Sequence, residues 1–381
     1  HPRVRRQRQM CIRDRFIKAF TAAAALFTLL AVLCIYFIPR YIIASPLEAT
    51  LYSGSVRGAN IDKSQTALPA STPETEPPPE PVITDIVMSF VGDCMLATDR
   101  GAEYAGTFNA LANEVDPSYF LENFIELFES DDWTVANLEN VFTDDPNVYP
   151  RNKGYTPAYW YKSKTANTAI LTEGSVEVVS IANNHSEDYG TKGYEDTRAA
   201  LDAAGVLWGD NDNMVLLEKD GFTIALYCTT YYYGGYESII AQRLSETGAD
   251  YKIAFFHGGT ERVHVPDSWK AAGCRYMIDA GVDLVIGHHP HVLQPIEIYN
   301  GKTIVHSLGN FVFGGSRSEE NRTIVFRLHL TLIDGELTSK ETEVIPCYLY
   351  SDSYKPAIIT DEAEKQAVFD FLDGLTESPL G

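Results

Sequence analysis

A layered α/β domain built on parallel strands is the fold class this chain predicts, on three observations. Short apolar runs rich in β-branched residues stop abruptly at Gly, Asn or His, as strands buried on both faces do, and the stretches between them carry helical periodicity. Five of these runs lead into a residue able to hold a metal or move a proton: Ile86–Gly92 into Asp93, Trp133–Leu138 into Glu139, Val176–Ala182 into Asn183, Asn184 and His185, Ile253–Phe256 into His257, and Asp283–Gly287 into His288, His289 and His291. Six of the nine histidines, His185, His257, His288, His289, His291 and His306, lie at or close to such ends. Ligands of α/β layers collect at the carboxyl ends of the strands. One site built from five loops is therefore expected.

The elements preceding the domain follow in chain order. Residues 1–40 hold eight Lys/Arg and one acid, a local charge of +7 in a chain of −22, which leaves −29 for the rest and argues against a nucleic-acid partner. Gln7–Arg15 (QRQMCIRDR) resembles a translated sequencing adapter; if it is one, Lys18 carries the topology signal. Ala19–Ile38 is twenty uncharged residues, long enough to cross a bilayer, and Ala44-Ser45-Pro46 is a poor cleavage site. The expectation is an uncleaved signal anchor with the basic leader 1–18 in the cytoplasm and all that follows Tyr41 outside the cell membrane. Pro69–Pro81 has six prolines and three glutamates and cannot bury a core, so 39–82 reads as a solvated extracellular stalk.

A domain at 83–350 follows, with a peripheral segment at 351–381. Helices are expected at Pro117–Phe128, Lys164–Leu171, Thr191–Ala204, Ser238–Thr247, Pro266–Ala280 and Asp361–Leu375. Two hairpins are expected, one turning at Asn300-Gly301 and one at Asp334-Gly335, because both dipeptides suit type I′ turns. No CxxC pair occurs among the six cysteines, so Cys94, Cys228 and Cys274 read as buried free thiols.

The strand-end residues differ in what they say. Asp93 after Gly92 and Glu139 in NLEN could each be an ordinary loop acid. Asn183, Asn184 and His185 together are costly at a buried strand end unless something binds them, although an Asx turn would occupy one of the amides. His257 alone could be a satisfied core histidine. Three imidazoles within Gly287-His288-His289-Pro290-His291 are the strongest signal, since they suit borderline divalent metals.

Together GDCML (92–96), NLEN (137–140), ANNHSEDYG (182–190), GYEDT (193–197), HGGTE (257–261), AGVDLVIGHHPHVLQPIE (280–297) and HSLGNFVF (306–313) resemble the CapA family of capsule and poly-γ-glutamate synthesis proteins. The resemblance implies a calcineurin-like metallophosphatase fold, a four-layer α/β/β/α sandwich with metal at the strand ends. It implies that Asp93, Glu139, Asn184, His257, His289 and His291 hold one or two divalent ions, Mn²⁺ or Zn²⁺. His185 would act as an acid oriented by Asp188, and Asn183, Glu261, His288 and Asn310 would touch substrate. The partners implied are an anionic polymer or cell-envelope substrate and membrane subunits of a polymer synthase or exporter. The chain departs from the pattern where Asp-x-His is expected, having Cys94 and Met95 after Asp93, and where Trp and Tyr are usual, having Gly258 and Arg262. Three functions compete: an accessory factor of polymer synthesis, an extracellular metal-dependent hydrolase, and a binding scaffold.

Overall fold

A computed structural model of the chain describes residues 80–102, 104–315 and 320–381. Ala19–Ile38 and most of the stalk lie outside them. Among the described residues no helix is long and apolar enough to cross a membrane.

Two sheets dominate. In the first, the order is Lys355–Ile358, Glu336–Asp352, Thr323–Ile333, Ile83–Met95, Trp133–Leu138, Val178–Ser180, Leu207–Gly209, with Asn310–Phe313 also paired to Ile83–Met95. In the second it is Leu293–Tyr299, Lys302–Leu308, Leu284–His288, Tyr251–His257, Phe222–Thr230, Val215–Lys219. The second has a parallel centre and two antiparallel edges, whereas the first is antiparallel on the side of Thr323–Ile333 and parallel from Ile83–Met95 out to its edge strand Leu207–Gly209. Parallel registry does the work of assembling the site, because Asp93 stands beside Asn137 and His257 beside His288.

The core follows from side-chain alternation along these strands. Ile86, Met88 and Phe90 of the first sheet pack with Ile253, Phe255 and Ile286 of the second in one buried cluster between the sheets. Each such side chain contributes roughly 1.5–3 kcal/mol through burial. Alternate residues face outward, Val91, Val179 and Phe311 against Phe120, Phe124 and Leu201, and Ala254, Phe256 and Val285 against Ile240, Leu244 and Met277. Helix Gly190–Ala204 covers one outer face, and helices Glu237–Glu246 and Ser268–Asp279 the other. The layers therefore run helix, sheet, sheet, helix.

Several elements differ from their sequence-based limits. The strand expected to stop before Asp93 continues to Met95, because the backbone of Asn310–Phe313 joins it from the other side. Gly92 permits this approach: a Cβ there would lie 2.2 Å from the carbonyl oxygen of Gly309. The helix expected at 117–128 is broken into a 3₁₀ turn, Pro117–Phe120, and one α-turn, Ile125–Phe128, since Phe120, Phe124 and Phe128 all bury against the sheet beside Phe311. Likewise 164–171 splits into Thr165–Thr168 and Ala169–Glu173. The hairpins turn where expected, with positive φ at Asn300, Gly301, Asp334 and Gly335. A third, at Asp220-Gly221, went unread in the sequence. The four described cysteines are free and buried.

The C-terminal segment is not peripheral. The strand Glu336–Asp352 runs through the expected boundary at 350, and helix Glu362–Leu372, capped by Asp361, places Val368, Phe371 and Leu372 in the cluster between the sheets. Phe371→Ala should cost about 3–5 kcal/mol, as large core truncations do, read as a lowered urea midpoint. A loss below about 0.5 kcal/mol, the usual surface value, would return the helix to the periphery.

Candidate metal centre

The carboxyl ends of the parallel strands of both sheets meet at one polar cluster, buried in an otherwise apolar interior. Asp93 and Glu139, both without exposed surface, form its floor. Asp93 is fully served: its Oδ1 accepts from Asn137 Nδ2 (2.8 Å) and lies 3.0 Å from His288 Nδ1, and its Oδ2 accepts from the His289 backbone N (3.2 Å) and lies 3.2 Å from His291 Nδ1. Burial works against its charge, but the hydrogen bonds from His288 and His291 prevail and hold the carboxyl well below its usual range.

Glu139 is the reverse case. Neither of its carboxylate oxygens has a hydrogen-bond partner, and burial, with the charge of Asp93 adding to it, raises its pKa well above the ordinary value. His257 Nε2 lies 3.4 Å from Glu139 Oε1, 2.8 Å from Asn184 Oδ1 and 3.0 Å from His289 Nδ1. Burial and the neighbouring imidazoles lower both histidines, His289 to about 3, so their rings are neutral. Burial would lower His291 too, but the charge of Glu139 and the hydrogen bond to Asp93 outweigh it and push this histidine up to about 10.

The uncharged rings of His257 and His289 and the unsatisfied oxygens of Glu139, converging in a dry pocket, are the donor set of a borderline divalent cation. Two of the compact groups share Glu139: one with His257 and His289, one with Asp93 and His291. A third joins His289 and His291 to Glu261, which is exposed at the rim. The backbone is strained to present these rings, since His289 and His291 have φ of 95° and 58°.

His185 stands at the edge of this cluster. Its Nδ1 is 2.8 Å from Asp188 Oδ2, and its ring meets Tyr161 edge-on at 4.9 Å. Burial lowers its pKa more than Asp188 raises it. A cavity of about 650 Å³ opens here, lined by His185, His291, Asn310, Glu261, Arg262 and Tyr159. Asn310 Oδ1 is 2.9 Å from His291 Nδ1.

Three expected participants are placed elsewhere. Asn183 is spent on structure: its Nδ2 donates to Asn137 Oδ1 and to the Leu138 carbonyl, and its Oδ1 accepts from the His185 backbone N, an Asx turn that leaves no group for substrate. His288 is wholly buried beneath Asp93 with its ring 4.3 Å from that of Phe255, too deep to touch substrate. His306 is turned away, 3.3 Å from Glu297.

Other residues went unread. Asn137 links the two sheets, giving Nδ2 to Asp93 and, at 3.0 Å, to His257 Nδ1; its signal was its place within NLEN, in register with Asp93. Lys153, nearly buried, has its Nζ 2.5 Å from Asp188 Oδ1 and 3.3 Å from His185 Nδ1, and comes from a loop with no pattern to announce it. Tyr232 lies edge-on to His289 at 5.4 Å with its hydroxyl buried and unpartnered. Gly258, where the resemblance leads one to expect Trp, has no room for a side chain: a Cβ would fall 1.6 Å from the Tyr231 carbonyl oxygen.

Fold and site thus define a two-sheet α/β protein with a histidine-carboxylate-asparagine centre at the strand ends. A model of the family described as bacterial capsule synthesis protein PGA_cap matches residues 87–315, more than half of the chain, and the chain belongs to this family. Among curated relatives, it is 29% identical to the PGA biosynthesis protein CapA of Bacillus subtilis over 336 residues, covering 79% of this chain and 82% of that protein. With the capsule biosynthesis protein CapA of Bacillus anthracis it shares 25% identity, covering 87% of this chain and 81% of the relative. A probable polyglutamine synthesis accessory protein of Mycobacterium tuberculosis is 27% identical over 240 residues, 53% of this chain and 62% of that one.

Proposed function

We propose that this chain is an accessory protein of capsule or poly-γ-glutamate synthesis, anchored by residues 19–38 with its domain outside the cell, and that the domain is a calcineurin-like metallophosphatase fold working through a divalent metal. The observation that carries the metal is Glu139, a fully buried carboxylate with neither oxygen hydrogen-bonded, facing His257 and His289, with His291 the only charge opposite it among the described residues. Such a group is several kcal/mol unfavourable unless a cation or proton compensates it. Glu139, His257 and His289, with Asn184, would hold one ion; Asp93, His291 and Glu139 would hold a second. Asn310 and Asn137 would orient the ligands, as outer partners of metal histidines do. When bound, the metal polarises a phosphoryl or carbonyl oxygen and lowers the pKa of its water to ~7.

The remaining steps belong to side chains. Asp188 accepts from His185 Nδ1 and so fixes the tautomer, leaving Nε2 to exchange a proton with a group in the cavity. Lys153 neutralises Asp188 and holds its carboxylate still. Arg262 and Glu261 at the rim would sort the substrate by charge. This His-Asp pair beside a metal-type cluster favours hydrolysis of cell-envelope material over a purely binding role.

The protein purified without chelator should contain one to two equivalents of Mn²⁺ or Zn²⁺. Glu139→Gln and His257→Ala should each lower that content, while chelator-treated Glu139→Gln should melt no lower than chelator-treated wild type, because it removes an uncompensated carboxylate. Elemental analysis that finds no metal, with no thermal shift on adding either ion, would leave the scaffold reading.

Catalysis has its own test. His185→Gln should keep the metal and lower hydrolysis of a generic phosphodiester by ~10²–10⁴-fold, the usual scale for losing a proton-transfer group. Wild-type turnover in the variant would remove His185 from the chemistry.

Topology is read by protease added to intact cells. Cleavage within 45–82 should release the domain as a soluble fragment; full protection of that segment would place it on the cytoplasmic side.

A further inference from the structure

Lys270, on the helix Ser268–Asp279, is a lysine with no exposed surface. An ammonium is among the costliest groups to bury, and lysine is almost never wholly inside unless its partners require it. Its hydrogen bond goes to an amide oxygen, Gln294 Oε1 at 3.0 Å, and its Nζ stands 5.3 Å from the centre of the Phe256 ring. Neither partner neutralises it. Burial draws its pKa down to about 8, so at neutral pH the amine is still largely protonated and donates.

The group that benefits is the loop following His257. With its oxygen claimed by the ammonium, Gln294 turns its Nε2 to the Val263 carbonyl at 2.7 Å. At the other end of the loop a Cβ on Gly259 would lie 3.2 Å from Lys270 Nζ, so the amine packs directly against this residue, whose φ of 116° only glycine adopts readily. Asp267, just before the helix, accepts from the backbone N and the hydroxyl of Thr260, both at 2.8 Å. Between these ties lie Glu261 and Arg262, which line the cavity at the metal-type centre. Arg262 has a φ of 57°, and its backbone N donates to the Pro290 carbonyl within the histidine segment at 2.7 Å. Such strain persists only where the surroundings over-determine the residue. Lys270 joins three elements to that end: its own helix, the strand Leu293–Tyr299 through Gln294, and the loop.

We propose that Lys270 is a positioning residue: through Gln294 it fixes the loop 258–263 so that Arg262 meets an anionic group of the substrate at the cavity mouth. The role in turnover rests on the hydrolase reading above, whereas the fastening of the loop does not. Neither Lys270 nor Gln294 is among the proposed metal ligands, so the ion is retained when the loop is loosened.

The test uses the full chain in detergent and three readouts: tryptic cleavage after Arg262, affinity of the Mn²⁺-loaded protein for inorganic phosphate, and KM for the generic phosphodiester. Lys270→Met keeps the length of the side chain and its contact with Phe256. Gln294→Glu keeps a partner for the ammonium but has no N–H for Val263. Each should speed cleavage after Arg262, and each should weaken phosphate binding and raise KM by about tenfold, the scale of one lost hydrogen bond to a charged group, with kcat and metal content unchanged. Arg262→Ala should lose a similar factor. Lys270→Met/Arg262→Ala should lose no more than Arg262→Ala, because positioning has nothing to act on once the guanidinium is gone. Unchanged cleavage and phosphate affinity in both variants, losses that multiply with Arg262→Ala, loss of metal with the lysine, or a wild type that binds no phosphate would each overturn the assignment. A wild type that holds metal and phosphate yet hydrolyses nothing would sink the hydrolase reading, and cleavage with phosphate affinity would still decide for or against Lys270.

Discussion

Two carboxylates buried at the ends of adjacent strands set the terms for the rest of this molecule. Burying an ion costs several kcal/mol unless charge and hydrogen bonds compensate. Around Asp93 the compensation is complete, with Asn137, His288, His291 and a backbone amide all directed at it. Around Glu139 it is partial: neither oxygen accepts a hydrogen bond, the neutral ring of His257 stands 3.4 Å away, and the only nearby positive charge among the described residues is that of His291, 3.8 Å from Oε1 and shared with Asp93. The fold maintains this imbalance through its rigid parts: parallel registry places Asp93 by Asn137 and His257 by His288, while Gly92 lets a third strand close over the floor.

Local strain belongs to the same arrangement. His289 and His291 sit in left-handed backbone that costs of order 1–3 kcal/mol at a non-glycine residue, and the segment holds it because the strand before and the hairpin after are anchored in the core between the sheets. The C-terminal helix adds Phe371 to that core, so a segment far from the site in sequence helps to keep its loops in position.

The metal-type centre gathers acids and imidazoles in a dry pocket, where electrostatic interactions are strong and poorly screened.

Much of this was written in the residue pattern. Apolar runs ending in Asp93, Glu139, His257 and the HHPH segment define buried parallel strands with polar ends, because only strand packing makes that pattern favourable, and the Asn-Gly and Asp-Gly turns define hairpins by backbone preference alone. Tertiary contacts decided which of those polar residues face into the shared cluster. Asn183 and His288 carry the same chemistry as Asn184 and His289, yet one is consumed by an Asx turn and the other lies beneath Asp93, since a one-residue step along a strand or turn reverses the side a group presents. Lys153 and Tyr232 come from loops, whose approach depends on packing across the whole domain and leaves no local periodicity to read.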